Sequence, residues 1–237
     1  MATSTTTLWS MSRDSIITAA LRKIGVVGEG QVASSTQIQE SLDDLNALLA
    51  EFQTLGMPLW KREEQAITLV SGQAEYVIGE GRAINTPFPF KLSQANLAIA
   101  GSTSRMNMTI LAHYDYNNLP VTTTGTPVQV TYQPYIDYGV LSVWPVPNAS
   151  VPAGTAIYIT YQRPFYKFTT GTETLDAPQE WYNAVVFQLA HIKSDDYGLP
   201  LEDRRWYEKQ AEKRLATALS AGTEEASIYF FPDKRGV

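Results

Sequence analysis

The hydrophobic positions near the start of the chain recur with the period of an α-helix. An apolar stripe runs from Ile16 to Ile24, with most of its residues three or four positions apart. Ser12 or Asp14 is placed to cap the start of this helix, and Gly25 suits its C-terminal end. The pattern predicts a first helix over residues 12–25.

A second and longer stripe predicts helix 2 in the segment STQIQESLDDLNALLAEFQTLG. Its apolar residues between Ile38 and Leu55 recur at steps of three and four, which defines one buried face. Thr36 and Gln39 have the spacing of a capping box at the start of the helix. Gly56 is expected to end it.

From about Glu63 to Phe168 the apolar pattern is typical of β-strands. QAITLVSGQAEYVIG predicts two strands joined as a hairpin at Ser71-Gly72. Four further segments are rich in β-branched and aromatic residues and predict strands: RMNMTILAHYDY, PVQVTYQPYI, GVLSVWPVP and TAIYITYQRPF. No helix-length crossovers separate them, so antiparallel pairing is expected. His113 is expected to lie within one of these strands.

Helical periodicity returns after the β segment. Asp176 is the expected N-cap of a third helix, with Pro178 in its first turn and an apolar stripe from Trp181 to Ile192. The segment LEDRRWYEKQAEKRLATALSAG predicts a fourth helix that stops at Gly222.

These elements predict an α+β fold. An antiparallel helical bundle is built from the N- and C-terminal halves, and an antiparallel β-sandwich or small barrel is inserted between them. The predicted boundaries are a flexible N-terminal arm at 1–11, a discontinuous helical domain at 12–62 and 175–222, an inserted β domain at 63–174, and an extended C-terminal tail at 223–237.

Composition narrows the classes of function. The 237 residues are 44% hydrophobic and carry a formal net charge of −6, which excludes disorder of the whole chain and argues against a protein that grips DNA phosphates. Cysteine is absent, so disulfides and thiolate chemistry are excluded. No apolar run is long enough for a membrane span, and no membrane partner is expected.

The sequence carries no recognised catalytic motif, so no catalytic residue, cofactor or metal is expected. His191 and Asp195 lie one helical turn apart and would supply two metal ligands, but the spacing indicates no third, so packing is the favoured interpretation. The pairs Asp43-Asp44 and Asp195-Asp196 point about 100° apart on a helix, so they are expected to be solvated rather than catalytic.

Two sets of residues leave alternatives open. Aromatic residues of the β segment would form either a sugar-stacking surface or, as alternation favours, part of the β core: Trp60, Tyr132, Tyr135, Tyr138, Trp144, Tyr158 and Tyr161. A basic stretch on the fourth helix would contact DNA or an acidic neighbouring subunit: Arg204, Arg205, Lys209, Lys213 and Arg214.

Four segments, in this order, resemble a known family: IITAALRKIG, ESLDDLNALLAEFQTLGMPLW, PQEWYNAVVFQLAHIKSDDYGLP and YEKQAEKRLATAL. They are similar to the head-to-tail adaptor proteins of short-tailed bacteriophages, the connector group called tail accessory factors, head-completion proteins or tail tubular protein A. LGMPLW closing helix 2 and EWYNAVV opening helix 3 give the resemblance its specificity.

The resemblance implies a structural protein of the virion, made in the bacterial cytoplasm and located at the head–tail junction. It would form a homo-oligomeric ring, usually of twelve subunits, beneath the portal protein. The ring would extend the DNA channel, without specific DNA binding, and give the tail nozzle or tail fibres a platform. The helical domain would form the ring wall, and the C-terminal segment would reach the portal.

The C-terminal tail is the candidate docking element. After a polar spacer, an apolar anchor is followed by a proline and two cations that would pair with acidic portal residues: Ile228, Tyr229, Phe230, Phe231, Pro232, Lys234 and Arg235. The alternative is that these aromatic residues fold back on the bundle. Two other functions stay open, a particle-associated enzyme that degrades cell wall and a carbohydrate-binding module on the β domain.

Overall fold

The computed structural model describes residues 9–54, 61–87 and 89–221. Within these ranges the chain divides into two compact units. The helical unit contains residues 9–49 and 167–221, and the β unit contains residues 50–54, 61–87 and 89–166. Most of the N-terminal arm predicted at 1–11 and all of the tail predicted at 223–237 lie outside the described residues.

The described residues form five helices and eight strands, which confirms the α+β class. The helices are α1 (Arg13–Lys23), α2 (Ser35–Phe52), α3 (His113–Asn117), α4 (Glu180–Asp196) and α5 (Leu201–Ala221). The strands are β1 (Arg62–Thr68), β2 (Glu75–Ile78), β3 (Lys91–Ala98), β4 (Arg105–Asn107), β5 (Thr109–Ile110), β6 (Gln129–Pro134), β7 (Gly139–Trp144) and β8 (Ala156–Gln162).

Helix α1 begins where the sequence predicts. The Ser12 hydroxyl accepts a hydrogen bond from the Ser15 N–H at 3.3 Å, so Ser12 is the N-cap. The apolar stripe of α1 is buried at Ile16, Ile17 and Leu21. Helix α1 packs against α4, and α4 packs against α5. The single bundle that also includes α2 stays a prediction.

The predicted capping box of α2 was wrong by two residues. The Ser34 N–H donates to Gln37 Oε1 at 2.9 Å, and the Gln37 N–H donates to Ser34 Oγ at 3.3 Å. This reciprocal pair is a capping box, and it places Ser34 rather than Thr36 at the N-cap. Three candidate hydroxyls lie in a row at 34–36, so spacing to a Gln alone does not select among them.

Helix α4 begins at Glu180, four residues after the predicted cap Asp176. The preceding turn is closed by the Trp181 N–H, which donates to the Pro178 carbonyl at 3.0 Å. The aromatic and aliphatic face of α4 is buried, at Trp181, Val185 and Leu189 among others.

The β unit is a sandwich of two four-stranded sheets. One sheet has the order β1-β8-β3-β4 and the other has the order β2-β7-β6-β5. The core between them takes side chains from both sheets, including Ile67, Leu97, Val130, Leu141 and Ile157. This arrangement corresponds to the predicted sandwich rather than to a barrel.

The predicted hairpin around Ser71-Gly72 was wrong. β1 pairs with β8 and β2 pairs with β7, so the turn carries the chain from one sheet to the other. Gly72 has a φ of 81°, which suits a tight turn but does not decide which strands pair. The residues Ser71-Gly72 therefore predicted the turn correctly, but they did not predict which strands pair with β1 and β2.

The expectation of antiparallel pairing throughout was also wrong at one edge. β5 pairs with β6 in parallel, through Thr109 with Gln129 and Ile110 with Val130. The connection between these strands contains α3, which begins at His113, so this histidine lies in a helix and not in a strand. Parallel pairing requires a crossover connection, and α3 is part of it. The sequence did not predict this helix because five residues are too few to show a helical period.

Candidate interaction surface

The residues predicted to dock the portal lie outside the described residues: Ile228, Tyr229, Phe230, Phe231, Pro232, Lys234 and Arg235. Their role stays a prediction. The described surface that precedes them is helix α5, which ends at Ala221.

Helix α5 is unusual in how little of it is buried. Of its 21 residues, only Ala211 and Ala218 are buried, and both have small side chains. Trp206 is 52% exposed. An exposed tryptophan on a helix this open is a feature of surfaces that meet other proteins, because tryptophan is enriched at interface hot spots.

Trp206 belongs to an aromatic cluster, defined here as Phe187, Trp206 and Tyr207. The Trp206 ring packs edge-on against Tyr207 at 5.0 Å between centroids and lies 6.5 Å from Phe187. Two cations face the Phe187 ring, with Lys23 Nζ at 4.4 Å from its centroid and the Arg214 guanidinium at 5.1 Å. The Trp206 ring is thus packed against Tyr207 and near Phe187, and the cations contact Phe187 rather than Trp206.

Tyr207 ties this cluster to α1. Its hydroxyl donates to the backbone carbonyl of Lys23, the last residue of α1. Burial, and secondarily the charge of Asp203, raise the pKa of Tyr207 above its usual value of 10.0. The hydroxyl is therefore protonated at neutral pH and keeps its donor role.

The predicted basic stretch on α5 is interleaved with acids. Arg205, Lys209 and Lys213 recur every four residues, so they form one row along the helix. Glu208 and Glu212 form a neighbouring row by the same spacing. The side chain of Arg204 pairs with Asp195 of α4. The exposed face therefore carries adjacent rows of opposite charge, which suits a protein neighbour better than a phosphate backbone.

A buried lysine that sequence reasoning missed joins α4 to α2. Lys193 is 5% exposed. Its Nζ pairs with Asp44 of α2, donates to Asp196 Oδ2 at 2.9 Å and donates to the Glu40 carbonyl at 3.3 Å. Burial by itself lowers the pKa of Lys193, but the hydrogen bonds and charges of the two carboxylates outweigh it and raise that pKa. The lysine is therefore charged and held between helices.

Three of the four residues in the predicted acidic pairs, Asp43, Asp195 and Asp196, are exposed as expected, and Asp44 is half-buried. Asp44 and Asp196 both pair with Lys193, and Asp195 pairs with Arg204. The ion pair with α2 could have been predicted from the sequence, because Lys193 directly follows the apolar stripe of α4. A cation on a buried helix face needs a carboxylate from a neighbouring element.

His191 and Asp195 were considered above as two possible metal ligands one helical turn apart. Among the described residues there is no group of three or more potential metal ligands of the His, Cys, Asp or Glu type. His191 lies on α4, and its Nδ1 is buried without a hydrogen-bond partner in the described part of the chain. Asp195 is taken by Arg204, so the pair His191–Asp195 carries no metal proposal.

Two of the predicted β-unit aromatic residues, Tyr132 and Tyr161, make internal contacts. The Tyr161 side chain is buried, with its hydroxyl 2.8 Å from Thr86 Oγ1, and Tyr132 donates to the Pro89 carbonyl at 2.6 Å. Burial raises the pKa of both tyrosines.

Tyr158 and Trp144, which are half-buried, also contact neighbouring side chains or backbone. The Arg105 guanidinium lies 3.7 Å from the Tyr158 ring centroid, and the Trp144 indole donates to the Pro120 carbonyl at 3.0 Å. A sugar stacks on an open aromatic face, so the covered ring of Tyr158 disfavours the carbohydrate-binding alternative. Trp60 lies outside the described residues.

A turn beside α1 is held by a single carboxylate. Glu173 accepts hydrogen bonds from the Thr169 N–H at 2.6 Å, the Thr169 hydroxyl at 2.7 Å and the Thr170 N–H at 3.0 Å. The carbonyl of Glu173 accepts from the Arg13 N–H at 2.8 Å, so the turn lies against the start of α1. The hydroxyl and backbone bonds lower the pKa of Glu173 to about 2.

Within the described ranges, no helix has the length and apolar character to cross a membrane.

A comparison with protein families identifies the family of this chain. A family model described as SU10 adaptor protein matches residues 11–230, which include nearly all of both units. The family is one of phage structural adaptor proteins. The chain belongs to the SU10 adaptor protein family, which confirms the resemblance to phage head-to-tail adaptors. Membership implies a component of the virion. No curated protein matches the chain.

Proposed function

We propose that this adaptor forms a homo-oligomeric ring, with twelve subunits as the resemblance implies, between the portal and the tail of a phage. The ring extends the DNA channel and closes the filled head, and the chain has no catalytic role. The observation that carries the proposal is the family match over residues 11–230.

The surface of α5 supports self-association into a ring. Its neighbouring rows of basic and acidic residues allow one copy to offer a positive row where the next offers a negative one. A head-to-tail contact of this kind closes into a ring when each copy is rotated by a constant angle. Trp206, held by Phe187 and Tyr207, supplies the apolar centre that such a contact needs.

Net charge supports a channel that DNA passes without being held. Each subunit carries a formal charge of −6, so a ring of them repels phosphate. The basic row of α5 lies directly beside the acidic row of Glu208 and Glu212, so this face offers phosphate no purely positive surface. DNA is therefore a transient contact in the proposal and not a specific ligand.

The C-terminal tail is the proposed link to the portal. Fifteen residues follow Gly222, and at about 3.3 Å per extended residue they reach roughly 50 Å. Residues 223–227 act as a polar spacer, and Ile228, Tyr229, Phe230 and Phe231 fill an apolar groove between portal subunits. Lys234 and Arg235 pair with acidic residues at the groove rim after Pro232.

Removal of the tail tests this proposal. A chain that ends at Ser227 is expected to keep the melting temperature of the full chain and to lose binding to purified portal rings from the same phage, measured by cosedimentation and electron microscopy. A matched full-length control with Lys234 and Arg235 exchanged for glutamine separates charge from apolar anchoring. Portal binding by the truncated chain would contradict the docking role, and early melting would place the tail in the protein's own core.

We further propose that the β unit is an insertion that faces the tail, where it contacts the nozzle or fibre proteins. β1 and β8 are paired, with Arg62 opposite Gln162, so the chain enters and leaves the β unit at neighbouring positions. An inserted domain is tolerated when its ends lie close together. This arrangement supports a helical domain assembled from both ends of the chain.

A further inference from the structure

The most exposed apolar feature of the β unit is the turn between β6 and β7. Pro134 pairs with Gly139 at the end of the two strands, and the four residues between them form the hairpin tip, Tyr135–Tyr138. Ile136 is 91% exposed, the largest value for a large apolar residue among those described. Tyr135 is also exposed. A fully exposed isoleucine at a turn opposes the usual preference for polar turn residues.

The hairpin tip is held in one shape by its own aromatic residues. The rings of Tyr135 and Tyr138 stack with centroids 4.9 Å apart and planes 18° apart. The Tyr135 N–H donates to the Tyr138 carbonyl at 2.8 Å and closes the turn. The Arg82 guanidinium lies 5.0 Å from the Tyr138 ring centroid. Ile136 is therefore presented on a braced turn.

Two glycines, Gly79 and Gly139, allow the close packing around the hairpin tip. A Cβ on Gly139 would lie 2.0 Å from the Tyr132 hydroxyl, so no larger residue fits there without moving Tyr132. A Cβ on Gly79 would lie 3.2 Å from both the Asp137 carbonyl oxygen and Tyr138 Cβ. The turn that follows β2 consequently lies directly against the hairpin tip. A braced apolar residue loses little conformational entropy on binding, which is the property of a preformed docking residue.

The charges around Ile136 indicate which partner the tip suits. Asp137 is exposed beside it, and Glu80 is exposed on the adjoining turn. The nearby cation, Arg82, faces the Tyr138 ring. Exposed carboxylates on the tip and on the turn beside it are repelled by anionic lipid headgroups and attracted to a protein pocket whose rim is basic.

The geometry points to the hairpin tip as the contact through which the β unit grips a tail protein, with Ile136 inserted into an apolar socket that has a basic rim. This inference rests on the proposed function, because it names the contact for the tail-facing side of the adaptor. Tyr135 packs against the wall of the socket, and Asp137 and Glu80 pair with its rim. Repetition around a ring multiplies a modest contact into a stable junction.

The test uses the full chain assembled on purified portal and measures binding of the purified tail nozzle protein of the same phage. Ile136→Ser is expected to weaken nozzle binding at least roughly tenfold, as for a hot-spot side chain, and to leave the melting temperature and portal binding unchanged. Val121→Ser is the matched control, because Val121 is 84% exposed in the same unit and lies outside the tip. Asp137→Asn is expected to weaken binding less and to reduce its salt dependence.

The outcomes separate this inference from the proposed function. A wild-type chain that does not join portal to nozzle overturns both. A wild-type chain that joins them, with Ile136→Ser joining them equally well, overturns only the role of the tip. A loss of self-association in Ile136→Ser instead of nozzle binding would assign the tip to a second copy of the chain. Loss of flotation with phosphatidylglycerol vesicles, with nozzle binding unchanged, would assign it to lipid.

Discussion

The side chain of Asn46 forms two hydrogen bonds with the backbone of Phe168. Asn46 Nδ2 donates to the Phe168 carbonyl at 3.2 Å, and Asn46 Oδ1 accepts from the Phe168 N–H at 2.9 Å. Asn46 lies on α2, and Phe168 lies where the chain re-enters the helical unit. The Phe168 side chain is buried, so these bonds fix the segment that leads into α4.

Asn46→Asp keeps the size of the side chain and removes its donor. The carboxylate then faces the Phe168 carbonyl, and we expect a loss of about 1–3 kcal/mol in the free energy of unfolding. Urea unfolding followed by circular dichroism measures it. Gln39→Glu makes the same chemical change at an exposed position of α2 and is expected to change stability little. Equal effects of the two substitutions would mean that the Asn46 bonds do not stabilise the unit.

Asp44→Asn tests the buried lysine. Lys193 then keeps Asp196 and loses its partner on α2, so we expect about 1–2 kcal/mol of destabilisation, less than for a fully buried pair because Asp44 is part-exposed. Asp43→Asn is the control, because it removes the same charge from an exposed position on the same helix. Thermal melting at neutral pH compares them. Identical melting temperatures would show that Asp44 is dispensable to Lys193.

Long apolar stripes were the dependable part of the sequence. The stripes of α1, α2 and α4 predicted helices correctly because a buried face repeats over several turns. β3 was not predicted at all. Its inward residues Leu92, Ala95 and Leu97 are separated by three and then two positions, because the register shifts between Leu92 and Gln94. A β-bulge of this kind breaks the alternation that identifies a strand.

Pairing partners and ion pairs were harder to predict for a different reason. The partner of β1 lies at the far end of the β unit, and nothing in the local sequence of either strand names the other. Lys193 likewise depends on Asp44, which is remote in sequence. The hairpin tip was missed because Tyr135 and Tyr138 were considered only as core or stacking residues, and the exposed Ile136 between them was not considered.

The Glu173 turn predicts a pH dependence with a definite sign. The folded-state pKa of about 2 lies below the usual value of 4.5, so this carboxylate stabilises the fold above about pH 4.5 and loses that contribution as the pH falls towards 2. Glu173→Gln should therefore melt earlier than the wild type at pH 6, and the difference should disappear near pH 2. Glu29→Gln controls for the loss of one negative charge. A difference that stays constant across this range would contradict the role of the carboxylate.

Trp206→Ser tests the α5 surface. Because the tryptophan is 52% exposed, its loss is expected to change the melting temperature little and to weaken self-association by at least about tenfold. Analytical ultracentrifugation, alone and with portal rings, measures the assembly. Leu201→Ser is the control, since Leu201 is 56% exposed on the same helix but lies about 140° around it, five residues away. Unchanged assembly in Trp206→Ser would exclude this surface from the ring contact.

The proposed insertion predicts that the helical unit folds without the β unit. Residues 61–166 are replaced by a short flexible linker, which keeps Phe168 and its bonds to Asn46. We expect a soluble product whose circular dichroism spectrum is dominated by helix and which melts cooperatively. The control is the full-length chain in which the same linker is inserted directly after residue 166, so that residues 61–166 are kept. An unfolded product, with the linker tolerated in that control, would mean that the two units depend on each other for folding.

The pairing of β1 with β8 also affects when the protein becomes complete during synthesis. The ribosome must add one hundred residues after Arg62 before its partner Gln162 exists, which takes roughly 5–20 s at about 5–20 residues per second. The separation in sequence between α1 and its packing partner α4 is longer still, so more synthesis is needed before they can pack. Neither unit is finished until most of the chain has emerged. In the proposed ring, a subunit contact that needs a complete helical unit therefore forms only after α4 and α5 have been synthesised.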